Sequence, residues 1–129
     1  MARKEINPWK WQDERSYVQA VEVTNAVSTL YVSGQTAIND EGVSSDADMK
    51  TQLVEAISNL EKVIKEAGYE SKNIVRLNIY TTSTDELMSC FHVFQNWIQS
   101  HNIKQASTVL EVKSLFETLK VELEATVVK

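Results

Sequence analysis

The pattern of this chain predicts an α+β fold, and three observations carry that prediction. Two stretches place apolar residues at spacings of three and four. Five others read as strands. With only 3 glycines and 1 proline in 129 residues, the elements should be long and the loops short. In chain order they run β-β-α-β-α-β-β, an arrangement that packs two helices on one face of a single sheet within one domain, residues 1–129.

Residues 1–16 carry Pro8, Trp9 and Trp11 among charged side chains without a period, and read as an irregular lead-in whose tryptophans cover a core edge. Tyr17 to Val23 is rich in β-branched residues and reads as a strand, with Leu30 to Ala37 as its hairpin partner. Asn39-Asp40-Glu41-Gly42 marks a turn. Met49, Leu53, Ile57, Leu60, Ile64 and Ala67 then form one helical stripe, opened by Ser45 with Asp48 and closed by Gly68. Val75, Leu77 and Ile79 alternate with Arg76, Asn78 and Tyr80 as a strand. Ser83 with Glu86 starts a second helix, buried along Leu87, Cys90, Phe91, Phe94 and Ile98. Ser107 to Lys113 and Leu119 to Val128 are the closing strands; in the last, Leu119, Val121, Leu123, Ala125 and Val127 face one way and Lys120, Glu122, Glu124 and Thr126 the other.

Two helices cover one face of a sheet. The other face, expected to hold Tyr80, Val109 and Val128, is too apolar to stay wet, and association with copies of the same chain is the natural cover. The formal net charge of −5 argues against a nucleic-acid binder, which needs a basic surface. No apolar run approaches the roughly 20 residues that span a bilayer, and the start has no signal-type segment. Cys90, the only cysteine, sits on a buried helical stripe as a small hydrophobe and calls for no oxidising compartment. The cytoplasm is the expected location. His92 and His101 lack partners at ligand spacing, so neither a metal nor any other cofactor is expected.

The C-terminal stretch Ala106-Ser107-Thr108-Val109-Leu110-Glu111-Val112, followed by Lys120-Val121-Glu122-Leu123-Glu124-Ala125, resembles the signature of the RidA/YjgF family of small trimeric enamine/imine deaminases. Ser33-Gly34-Gln35 and Tyr17 stand in register with it, and the similarity runs from Tyr17 to about Val127. The resemblance implies a chorismate-mutase-like fold, a homotrimer closing three sheets into a barrel, and pockets between subunits for a small molecule. It assigns Glu122 to the water-positioning glutamate, fifteen residues beyond the signature position, and matches Tyr17, Ser33, Gly34 and Gln35 to pocket groups, with Ser107 and Thr108 beside them.

One departure matters most. The family's arginine, which grips a carboxylate through paired hydrogen bonds, is Ser107 here. The cysteine often found two places on is Val109, the Gly-Pro before the tyrosine is Arg15-Ser16, and the usual Leu-Pro is missing from Leu115-Phe116-Glu117. The first expectation is therefore a RidA-like trimer hydrolysing a C=N or enamine bond in a substrate that presents no carboxylate to position 107, with Glu122 orienting water and Lys104 as the nearest replacement cation. The alternative is a non-catalytic ligand-binding or protein-interaction trimer. A ribonuclease role ranks third.

Overall fold

Six strands and three α-helices make up the chain: β1 (Ala2–Ile6), β2 (Ala20–Thr24), β3 (Thr29–Gln35), α1 (Met49–Glu66), β4 (Ile74–Thr81), α2 (Thr84–Ser89), α3 (Phe91–Ser100), β5 (Ala106–Glu111) and β6 (Val121–Val128). The structure is a computed structural model and describes residues 1–129. The α+β class stands. The main sheet is four-stranded in the order β3-β6-β4-β5, with β6 antiparallel to both neighbours and β5 parallel to β4.

The first strands depart from expectation. The lead-in is not irregular: β1 pairs with β2 in a separate two-stranded ribbon, while β3 pairs with β6 instead of β2. All five residues of β1 are exposed, so no buried face announces it in the sequence; its backbone ladder to β2 and the Arg3 guanidinium, which donates to the Lys72 carbonyl at 2.8 Å, hold it.

The helices obey their stripes. Leu53, Ala56, Leu60 and Ile64 of α1 are at most 1% exposed and pack with Leu77, Ile79, Leu123 and Val127 in one cluster of 20 buried residues. Removing apolar surface of this kind from water is worth about 25 cal/mol per Å². The cap of α1 is Asp48, whose side chain accepts from the Thr51 N–H; Ser45 instead accepts from Ala47. Ser83 caps α2 by accepting from the Glu86 N–H, as its spacing predicts, but the helix breaks at Cys90 into α2 and α3. In β4 a register shift between Ile74 and Arg76 buries Ile74, Leu77 and Ile79 while leaving Val75 half-buried.

Gln105, fully buried before β5, ties the lead-in to the sheet. Its side-chain amide donates to the Ser16 carbonyl at 2.9 Å, and its backbone carbonyl accepts from the Val18 N–H at 3.0 Å. Gln105→Leu removes one bond and leaves the Ser16 carbonyl unpaired, a cost of about 1–3 kcal/mol that loss of the buried, unpartnered Gln105 Oε1 offsets only in part. Urea unfolding should show a lower midpoint, and amide exchange at Val18 should quicken; an unchanged midpoint and exchange rate would refute this role.

Candidate functional site

The strand ladders sort the site residues onto two faces. Tyr80 lies opposite Glu122 and Asn78 opposite Glu124, while Thr108 pairs with Asn78 and Leu110 with Tyr80. These side chains share the face turned away from the helices. Leu77 and Ile79, on the helix side, pair instead with Ser107 and Val109. Ser107 and Glu122 therefore point to opposite sides of one sheet.

On the open face the two glutamates differ in their surroundings. Glu124 accepts from the Tyr80 hydroxyl at 3.0 Å and from the Asn78 amide at 3.2 Å. The hydrogen bond to Glu124 raises the Tyr80 phenol above its ordinary value, with burial adding to it. Glu122 makes no side-chain hydrogen bond within the chain. Burial, helped by the negative charge of Glu124, pushes its carboxyl up from the usual range. It lies against Gly34, where an added Cβ would stand 2.5 Å from the Glu122 Cδ. The glycine of Ser33-Gly34-Gln35 thus makes room for the carboxyl, at an irregularity in β3 between Val32 and Gln35. Gln35 turns its amide back to the Ser33 carbonyl, 3.2 Å away.

On the helix side, a cavity of about 570 Å³ opens between β5 and the α2–α3 segment, closed from above by residues 14–17. Ile79, Met88, Phe91, Phe94 and Val109 give it apolar walls, and Tyr17 and Ser107 also line it. The Ser107 hydroxyl donates to the Leu77 carbonyl at 2.6 Å, so its proton is committed to the sheet. Lys104 lines a different groove with Val18, Asn102 and Ile103. Arg15 and Ser16, which the sequence marks only as a departure, stand at the rim of the cavity.

Tyr17 and Ser107 thus come together, and so do Glu122 and Gly34, with Thr108 on that second face. Several expectations need correcting. Val109 turns into the cavity and does not belong to the open face; Val128 alternates onto the Glu122 side of β6 but is already buried, at 4% exposure. Its exposed apolar groups are Tyr31, at 81%, and Leu110, at 51%. Trp9 and Trp11 do not cover the core; both are exposed and stack on each other, 5.8 Å between centroids.

The family described as Endoribonuclease L-PSP matches residues 10–129. A RutC family protein of Aquifex aeolicus is 31% identical over 113 residues, 88% of each chain. Among solved structures, the Rid protein YyfB of Yersinia pestis, a protein of unknown function, superposes with a TM-score of 0.87 at 27% identity over 100% of both chains. The chain belongs to the RidA/YjgF family. The 2-iminobutanoate/2-iminopropanoate deaminase of Escherichia coli is 25% identical over 114 residues, 88% of this chain and 87% of that one. The YjgF gene product of E. coli shares the fold, with a TM-score of 0.71. No helix of this family member is long and apolar enough to cross a membrane.

The raised carboxyl of Glu122 has a stability signature. An acid whose folded pKa lies above its unfolded value stabilises the fold below the unfolded pKa, and that contribution is lost as pH rises through the folded one. At neutral pH the charged form is a burden. Glu122→Gln should therefore raise the thermal midpoint at about pH 7, with the gain vanishing near pH 4. A variant less stable than wild type at pH 7 would contradict the assignment. Gly34→Ala should keep the fold but displace the carboxyl, which a titration of the Glu122 side-chain carbon by NMR would register as a changed midpoint.

Proposed function

We propose that the protein is a homotrimeric hydrolase of a reactive enamine or imine, in which Glu122 of one copy acts on a small molecule held in the cavity of a neighbour. The observation that carries this reading is the sidedness of the sheet. A carboxyl without a hydrogen-bond partner lies on one face and a small-molecule cavity on the other, so one chain cannot bring them to a common substrate. A neighbouring copy laid on the open face would do so and would also cover Tyr31 and Leu110. The likeness to the E. coli deaminase supports the same chemistry.

In the reaction, Glu122 takes a proton from water as the water oxygen bonds to the C=N carbon. The proton is returned to nitrogen, giving a carbinolamine; the same carboxylate then carries the remaining hydroxyl proton to nitrogen as the C–N bond breaks, releasing ammonia and a carbonyl product. An enamine must first take a proton on carbon and give one up from nitrogen to become the imine. A carboxylate with a raised pKa suits both directions of proton traffic. With the Ser107 proton committed to Leu77, position 107 offers no grip on a substrate carboxylate. Without a clamp at position 107, and with apolar walls around about 570 Å³ that a single methyl group would leave largely unfilled, 2-iminopropanoate should be a poor substrate beside an arginine-bearing relative. That same hydroxyl geometry favours the second reading, a ligand-binding trimer without turnover. The net charge of −5 speaks against ribonuclease action.

Light scattering should return three times the 14.6 kDa chain mass; a monomer at micromolar concentration would defeat the shared site. Ammonia release from imines generated in situ from several amino acids should exceed the uncatalysed rate. Glu122→Gln should lower it by about 10²-fold or more. A trimer that accelerates none of these imines would favour the binding protein instead.

A further inference from the structure

We propose that Arg15 is the anion-binding group of the cavity and that the ligand there is a carboxylate carrying a large apolar body. This rests on the reading above only in taking the cavity to hold a small molecule. Arg15 is the single cation among the cavity-lining residues, whose walls are otherwise largely apolar. It is not spent elsewhere: the ion pairs of the chain are Lys72–Glu70, His101–Glu61 and Lys120–Glu86. The one acid at the same rim, Glu14, does not pair with it.

The backbone around Arg15 is fixed, while its guanidinium makes no ion pair within the chain. The Glu14 carbonyl accepts from the Gln95 side-chain amide at 3.1 Å, and the Ser16 carbonyl accepts from buried Gln105 at 2.9 Å. Ser16 is held in the left-handed region, φ 64° and ψ 46°, an unusual conformation for serine that turns the chain between Arg15 and Tyr17. The buried Ser16 hydroxyl has no hydrogen-bond partner and belongs to the same lining. The Arg15 guanidinium carbon lies 4.9 Å from the Trp11 ring centroid, and Trp11 meets Tyr17 edge-on at 6.4 Å. A guanidinium held over an aromatic ring still has N–H groups to offer an oxyanion. A cavity of about 570 Å³ walled by Met88, Phe91 and Phe94 has room for far more than a methyl group behind that carboxylate. Position 107 has lost its arginine, and the same cavity has a guanidinium from position 15.

The test uses two non-reacting probes of one shape, 3-phenylpropanoate and its neutral amide, titrated into the full-length protein and followed by calorimetry and by tryptophan fluorescence. The wild type should bind the acid on the order of tenfold more tightly than the amide. Arg15→Gln should erase that preference and leave amide binding unchanged, and Arg15→Lys should restore part of it. Met88→Ala should weaken both probes alike. Arg15 and Met88 are exposed enough for these variants to fold, which equal thermal midpoints would establish. Equal binding of acid and amide to the wild type, an acid affinity unmoved by Arg15→Gln, or no binding of either probe at millimolar concentration would each overturn the proposal. None of those outcomes touches the imine assay. Conversely, a protein that binds the acid through Arg15 but hydrolyses no imine fails the hydrolase reading alone.

Discussion

A β-strand sends successive side chains to opposite faces, and the arrangement of this molecule follows from that alternation. Ser107 and Thr108 are neighbours in the chain, yet one lines a cavity under the helices and the other lies on the open face. Glu122 and Leu123 divide in the same way. The buried members, Leu77, Ile79, Leu123 and Ala125, are locked by the core, so no slip of register can carry Glu122 to the cavity side without exposing all of them. Any chemistry that uses both faces must recruit a second copy.

The open face divides labour between two carboxylates. Asn78 and Tyr80 occupy Glu124, while Glu122 is left with Gly34 beneath it and Glu124's charge beside it. A group placed in this way holds its proton more readily than an ordinary glutamate and has free lone pairs for water. On the cavity side, the short lead-in provides what β5 does not. Two glutamine side chains, Gln95 and Gln105, reach from α3 and from the start of β5 to fix the backbone on either side of Arg15. A charge introduced on an anchored loop keeps the strand free to pair, and Ser107 uses its hydroxyl on the Leu77 carbonyl.

Much of this was legible in the residues. The stripe from Met49 to Ile64, the alternation of β6, the turn at Gly42 and the stop at Gly68 each follow from apolar period or backbone need; both glycines adopt positive φ. The closing signature led to Glu122, and Gly34 turned out to face it. The ribbon of β1 with β2 was not legible, because an all-exposed strand has no apolar face to betray its period. Val109, expected on the open face, pairs with Ile79 under the helices, and Val128 lies on the open-face side of β6 but is buried within the chain. Arg15 was visible only as a mismatch. Its meaning depends on Ser16's left-handed turn and on glutamines 80 or more residues away in sequence, contacts that no local pattern carries.

The shared site is tested most directly by mixing two inactive variants. Glu122→Gln leaves the cavity intact, and Val109→Trp fills the cavity while leaving Glu122 intact. Each alone should lack imine hydrolysis. Unfolded together and refolded, random trimers should place an intact Glu122 against an intact neighbouring cavity in about a quarter of the clefts, restoring about a quarter of wild-type activity. A refolded mixture that forms trimers but stays inactive, while wild type refolded in parallel is active, would show that both halves of the site act within one copy.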